Sequence, residues 1–522
     1  MLSRIFFSPW VLVPALLVAV IVVSAVLWIQ GEDRESSPDT VVSRTQEATF
    51  VWSMTPRFGL DANGDGRLDI PNTFEYVHNL EPGSCSAGCD GPNPEFRIEL
   101  DASGSVVGGA GIEEYVWDIR GEGLASPVEL RSAGPRAEVS LTEGAFEITL
   151  TVIAEGFETS ARESIEVDDI VIVSLGDSYA SGEGNPEVGG DPATWADDGS
   201  SDAGTIQSLH HDGAHRSGLA GPAQAALEIE RADPHTSVTF VFLAASGATI
   251  HDGMTGPLEN VAVGPGGTIR LQPQLEEAAE ILGCDSDGTC NRDVDIMTLS
   301  IGGNDIGHAF TMGSLIALDG ALLLGPVYDS LLESILVNAE VQLESLPELF
   351  DELDRGIDVF DAKRVFITGY PSPTRTVGGD GFRLCEEIAG DLAFTLEVDE
   401  VESEQAETRV LVPLNEKIEE AATTHGWTYV GSHVEEFQGH GYCGTAPYEA
   451  SLYPGNPFPD LPQPVDDPAV RWFRQAEESI AIQGAPSGLF RPEQMATRGT
   501  LHPNELGHQA YKRALLDAMG YG

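Results

Sequence analysis

Ile170-Val-Ile-Val-Ser-Leu175, followed at once by Gly176-Asp177-Ser178-Tyr179-Ala180-Ser181-Gly182-Glu183-Gly184-Asn185, decides the fold of this chain. A continuous apolar run closed by glycine and polar residues is the signature of a strand buried on both faces. Similar runs recur at Val238–Ala244, Val294–Ile301, Val365–Tyr370 and Trp427–Gly431. Helical stretches lie between them at Ala220–Arg231, Gln274–Leu282, Ile316–Leu353 and Glu404–His425. Strands alternating with helices predict a parallel sheet covered on both sides. Ligands of such sheets bind beyond the C-terminal ends of the strands.

The residues at those ends are chemically telling. Ser178 follows the first strand and Ser246-Gly247-Ala248 the second. Gly302-Gly303-Asn304-Asp305 follows the third, and Leu501-His502-Pro503-Asn504-Glu505 lies near the C-terminus. Acyl transfer needs a hydroxyl nucleophile, a base that titrates near neutrality and fixed donors for the oxyanion. Serine, histidine, backbone N–H groups and an asparagine amide supply them. Each has a plainer reading. Gly-Asp-Ser is a common turn, Gly247 a turn glycine, Asn304 a loop residue and His502 a cap for the last helix. Their joint occurrence at successive strand ends is far more specific than any one of them.

These blocks resemble the SGNH/GDSL hydrolase superfamily, near its actinobacterial secreted lipase-esterase branch, over residues 169–522. Gly176-Asp-Ser-Tyr-Ala-Ser-Gly-Glu-Gly184 is the most specific block. The resemblance implies a flavodoxin-like three-layer α/β/α fold and hydrolysis of carboxylic esters, lipids included, with no catalytic cofactor. It implies that Ser178 is the nucleophile and first oxyanion donor, Gly247 and Asn304 the other donors, and His502 the base. The family usually carries Asp or Ser three residues before the histidine; Gly499 stands there. The expectation is therefore a Ser–His dyad whose histidine is oriented by the Gly499 carbonyl. The branch often has cysteines where this chain has Ala214 and Ala245, consistent with loss of one disulfide.

Two other groups invite chemical readings. His210, His211, Asp212 and His215 could be taken for a metal cluster, but ligands in so short a loop seldom face one another. Asp305 could be taken for a triad acid; shaping the turn that carries Asn304 is the plainer role. Ser178 sits in Gly-x-Ser-x-Ala, not in the Gly-x-Ser-x-Gly elbow of α/β-hydrolases.

Upstream the period changes to two. Phe96-Arg-Ile98-Glu-Leu100, Glu114-Tyr-Val-Trp117-Asp-Ile119 and Phe146-Glu-Ile148-Thr-Leu150-Thr-Val152 alternate and are separated by turn residues. That pattern predicts a small β-sandwich over 95–168. Leu100-Asp-Ala-Ser103-Gly-Ser, Tyr115-Val-Trp117-Asp118 and the Gly144–Val152 run resemble a PKD-type domain. The resemblance implies a spacer or a module binding a glycan or protein ligand, without chemistry of its own.

Within 56–80, Asp61, Asn63, Asp65, Arg67 and Asp69 occupy positions 1, 3, 5, 7 and 9 of a loop with Gly66 at position 6. Oxygen ligands on alternating residues around a glycine turn read as a structural calcium site. Position 12 is Asn72, so the loop departs from the EF-hand; an Asx/Gly turn is the plain alternative.

The stretch Ile5–Ile29 carries no charge and is long enough to span a bilayer. It has no clean small-residue cleavage pattern, so residues 1–30 read as a signal anchor, with a cleaved signal peptide as the alternative. Arg4 before it and Glu32, Asp33 and Glu35 after it place the remainder outside the cell membrane. Residues 31–55 read as a stalk.

Against 27 Lys+Arg stand 84 Asp+Glu, a formal net charge of −57. Such a surface repels phosphate backbones, which argues against a nucleic-acid partner. Only Lys363, Lys417 and Lys512 are lysines, a composition that suits salty surroundings. Six cysteines agree with export. Their simplest pairing, out of 15 connectivities, is Cys85–Cys89, Cys284–Cys290 and Cys385–Cys443. The leading expectation is an extracytoplasmic ester hydrolase. A glycan deacetylase or acyltransferase, and a non-catalytic binding ectodomain, stand beside it.

Overall fold

The computed structural model describes residues 46–56, 95–107, 111–121, 123–155, 157–185, 213–263, 267–285, 289–307, 326–378, 381–384, 400–445, 469–475, 478–479 and 499–522. The Ile5–Ile29 stretch, the Asp61–Asp69 loop, His210–Asp212, Cys85, Cys89 and Cys385 lie outside the described residues. Among the described residues no helix is long and apolar enough to cross a membrane.

The N-terminal unit is built from β1 (Gln46–Glu47), β2 (Val51–Met54), β3 (Glu95–Asp101), β4 (Val106–Val107), β5 (Ile112–Gly121), β6 (Val128–Ser132), β7 (Arg136–Thr142) and β8 (Gly144–Ala154). Sheet β2-β3-β7 faces sheet β6-β5-β8, to which the first half of β9 (Phe157–Gly176) is added. Their inward residues form one core around Trp117, Ile98, Leu100, Ile148 and Leu150. The sandwich is thus observed, with one correction. Residues 46–54 are not stalk: β2 pairs with β3 from Val51↔Asp101 to Met54↔Ile98, and Phe50, Trp52 and Met54 are buried in the core. The alternation at Phe50–Met54 is too short to declare a strand by itself, and its partner lies beyond residues 57–94.

The second unit holds β10 (Thr236–Phe242), the hairpin β11 (Leu258–Val263) and β12 (Gly267–Leu271), β13 (Ile296–Ser300), β14 (Val365–Thr368), the hairpin β15 (Arg375–Gly378) and β16 (Gly381–Leu384), and β17 (Thr428–Val430). Its parallel sheet runs β10-β9-β13-β14-β17. In order of appearance that is 2-1-3-4-5, the flavodoxin-like order, with its switch point beside β9. The helices are α1 (Ser178–Ser181), α2 (Gly221–Ala232), α3 (Gln274–Leu282), α4 (Pro326–Ile357), α5 (Glu400–Ala406), α6 (Val412–His425), α7 (Ser432–Glu436) and α8 (Glu505–Met519). Val171, Val173 and Leu175 turn to a core with α3, α4 and α6, while Ile172 turns to one with α2 and α8. The alternation of one strand thus fills both faces, and three layers result.

Two helices differ from the expected ranges. Over 404–425 the chain makes α5, a π turn at Glu407–Leu411, and α6. The widened turn brings Glu407 onto the Thr374 hydroxyl (3.0 Å) and the Arg375 Nε (2.7 Å). Helix α4 contains Pro347 and continues past the expected Leu353 to Ile357; residues 316–325 of the expected helix lie outside the described residues.

A single strand joins the units. β9 is 20 residues long; Phe157–Val167 pair antiparallel with β8, and Asp168–Gly176 pair parallel with β10 and β13. Arg292 seals the seam, 2.6 Å from Asp169 and 3.3 Å from Glu143, with its guanidinium over the Phe96 ring.

Candidate active site

The first strand ends where only glycine fits. Gly176 has φ +139°, and a Cβ there would lie 2.2 Å from the Ser300 carbonyl oxygen. Asp177 N–H donates to that carbonyl (2.9 Å), and the Asp177 side chain caps α1 by accepting from Tyr179 N–H (2.9 Å). Ser178 therefore opens a four-residue helix at the carboxyl end of the sheet.

His502 reaches it from the C-terminal loop. Its Nε2 lies 2.8 Å from Ser178 Oγ, and its Nδ1 lies 3.2 Å from the Thr500 carbonyl. A carbonyl only accepts, so the contact suits a proton on Nδ1, with Nε2 facing the Ser178 hydroxyl as an acceptor. The carbonyl seen at Nδ1 is that of Thr500, next to the Gly499 whose carbonyl was expected there. Gly499 O instead accepts the His502 backbone N–H (3.1 Å). Leu501, between Thr500 and His502, takes a φ of +68°, rare for a leucine. Tyr179 braces the same loop, donating from its hydroxyl to Leu501 O (3.1 Å).

The expected oxyanion donors meet at this rim through backbone bonds. Ala245 N–H donates to Gly176 O (2.9 Å), the last residue of β9, and Gly247 follows two residues on. Gly247 is exposed, has φ +85° and has no hydrogen-bond partner for its N–H among the described residues. Asn304 Nδ2 donates to Ala248 O (2.9 Å), which fixes the amide and spends one of its two N–H groups. The Ser178 N–H heads α1, where no preceding turn can accept it. Asp305 takes the plainer of its two readings: its carboxylate accepts from Ile250 N–H (3.0 Å) and ties the Asn304 turn to the Gly247 loop.

Asp177 has a second partner that sequence reasoning missed. Tyr370 donates its hydroxyl to Asp177 Oδ2 (2.5 Å) and accepts from Gly303 N–H (3.1 Å). Complete burial pushes the Asp177 carboxyl from 3.8 up to about 7, against the pull of Tyr370 and the Tyr179 N–H. A carboxyl raised on folding holds its proton more tightly in the native state. Its stabilisation is complete below the ordinary 3.8 and is lost as pH rises through about 7. Asp177→Asn keeps a cap acceptor but carries no charge. Thermal melts should show the variant gaining on the parent protein as pH rises from about 5 to about 8. A difference that stays flat over that range would contradict a neutral Asp177.

His215, grouped at first with a metal cluster, has φ +55° and its Nδ1 stands 2.7 Å from Glu183 Oε2. Burial alone would raise the Glu183 carboxyl, but its interactions with His215 and His502 and the hydrogen bonds from His215 and Ser246 together hold it down at about 2. Among the described residues no cluster could hold a metal ion. Ala214 and Ala245 share one small buried cluster, where the resemblance places a disulfide in related chains. Cys284 and Cys290 are bonded as expected. Cys443 is also disulfide-bonded; its expected partner Cys385 lies outside the described residues.

No protein-family model and no curated protein matches the chain. Among solved structures it is similar to an extracellular lipase from Streptomyces rimosus, at 20% identity over 67% of this chain and 99% of that one, TM-score 0.39. It is similar also to phospholipase A1 from Streptomyces albidoflavus, at 19% identity over 66% and 98%, TM-score 0.38. A third is an active-site mutant of a family two carbohydrate esterase from Clostridium thermocellum, at 12% identity over 91% and 100%, TM-score 0.25. At these scores a functional reading stands on the geometry of the site.

Proposed function

We propose that this chain is a carboxylic ester hydrolase of the SGNH/GDSL type. The observation that carries the reading is the 2.8 Å contact of His502 Nε2 with Ser178 Oγ at the carboxyl end of the parallel sheet. In the proposed reaction Ser178 Oγ attacks the ester carbonyl while Nε2 takes the hydroxyl proton. The carbonyl oxygen becomes an oxyanion facing the N–H groups of Ser178 and Gly247 and the amide of Asn304. His502 then gives its proton to the departing alcohol, leaving an acyl-serine. Water, deprotonated by the same nitrogen, cleaves the acyl-serine to the carboxylic acid and restores Ser178. The Thr500 carbonyl keeps the ring in the required tautomer throughout.

An extracytoplasmic location goes with this reading. It is supported by the Cys284–Cys290 disulfide and the bonded state of Cys443, since such bonds persist in oxidising compartments. The test is hydrolysis of a short-chain chromogenic ester, together with fluorophosphonate labelling and peptide mapping. Turnover with the label on Ser178 is expected. A folded protein that neither turns over nor labels, or that labels elsewhere, would sink the reading.

A further inference from the structure

The Ser178–His502 contact joins residues 324 positions apart in the chain. Something must hold the two segments in register. Their backbones touch directly: a Cβ on Gly184 would lie 2.8 Å from Gly499 Cα. Beside that contact lies Arg474, fully buried. Its Nε donates to Gly184 O (2.9 Å) and its Nη2 to Asn185 Oδ1 (3.0 Å), both on the turn that follows the nucleophile. The same Nη2 is 2.6 Å from Glu505 Oε1, at the start of α8 just beyond the base. Arg474 N–H donates to His502 O (2.8 Å), and Leu501 N–H donates to Arg474 O (3.0 Å). Asn185 completes the bridge by donating from Nδ2 to Pro503 O (2.8 Å).

We propose that Arg474 is a positioning residue for the proposed hydrolytic site: its guanidinium and its backbone clamp the serine turn to the histidine loop. The inference rests on the ester-hydrolase reading above. A planar fork suits the task, since its donors reach several acceptors in fixed directions at once. Glu505 offsets the cation, so that a bare charge is not left buried beside the base. The clamp also accounts for Leu501. A residue held at φ +68° persists only where its surroundings over-determine it. Both of its backbone groups are taken, the N–H by Arg474 and the carbonyl by Tyr179.

The test uses the full chain with Arg474→Ala, Asn185→Ala and the parent protein. Readouts are kcat and KM on a short-chain ester and the downfield Nδ1–H proton resonance of His502, assigned by its loss in His502→Ala. Folding is checked by circular dichroism. For folded Arg474→Ala, kcat should fall about 100-fold with KM changed by less than about threefold, the loss expected from a misplacement near 1 Å. The resonance should shift or broaden, and added guanidinium ion should restore roughly tenfold of the lost kcat, since it resupplies the planar fork. Asn185→Ala, the milder cut, should lose about tenfold in kcat alone. Folded Arg474→Ala with kcat within about threefold of the parent and an unmoved resonance overturns the proposal. Should Arg474→Ala not fold, Asn185→Ala with an unchanged kcat and resonance overturns it. A parent protein inert to esters and to fluorophosphonate defeats the hydrolase reading instead; the histidine resonance still reports whether Arg474 places the ring.

Discussion

Replacing Ser178 by Ala is expected to lower ester turnover by about 10⁴- to 10⁶-fold, the scale seen when one member of a nucleophile–base unit is removed. Ser178 Oγ is the hydroxyl that stands at His502 Nε2, 2.8 Å away. Without Oγ no acyl-serine can form, and the oxyanion donors can only assist direct attack by water. His502→Ala should cost nearly as much, because an unassisted serine hydroxyl is a weak nucleophile at neutral pH. The double variant should be no worse than either single one, since the two act as one unit. KM should change little, as Ser178 is 6% exposed and offers little surface for ground-state binding. Steady-state kinetics on the three variants decides the matter. Losses that multiply in the double variant would mean that serine and histidine work apart.

The second large effect belongs to Asn304. Asn304→Ala should lower kcat about 10²- to 10³-fold with a modest change in KM, because its free N–H is needed once negative charge develops on the carbonyl oxygen. Its neighbour supplies the contrast. Asp305 accepts from Ile250 N–H (3.0 Å), and burial raises its carboxyl from 3.8 to about 6. An asparagine can accept the same bond. Asp305→Asn should therefore stay within about tenfold of the parent, far from the ~10⁴ drop of a neutralised triad aspartate. A collapse of Asp305→Asn to the level of Ser178→Ala, with the fold intact, would reinstate a carboxylate triad.

Much of this site was legible before any coordinates. The apolar runs at Ile170–Leu175 and Val365–Tyr370 allow no wet face, so a doubly covered parallel sheet followed directly. In such a sheet the strand ends are where chemistry collects, which isolates Ser178, Gly247 and Asn304. The clamp was not legible. Arg474 belongs to no motif, and its value lies in reaching Gly184, Asn185 and Glu505 together. The Thr500 carbonyl at the ring was equally hidden, because the loop that carries it includes Leu501 at positive φ, a conformation that residue type seldom adopts. Tyr370 escaped notice for a related reason. It reads as the last apolar residue of a strand, and only the fold brings its hydroxyl to Asp177.

The shared strand β9 bears on how this protein can be divided. At about 3.3 Å per residue, its 20 residues form a rod that begins in the sandwich and ends one residue before Asp177. A domain boundary drawn at 169, natural from composition, would sever that rod in mid-span. Each excised piece would keep its ladder, to Val167 on β8 and from Asp169 on β10, but Arg292 would lose Glu143 and the Phe96 ring, and the first strand of the parallel sheet would begin at a loose chain end. A flexible linker lets modules swing and be swapped; a common strand makes sandwich and catalytic rim handle and blade of one tool.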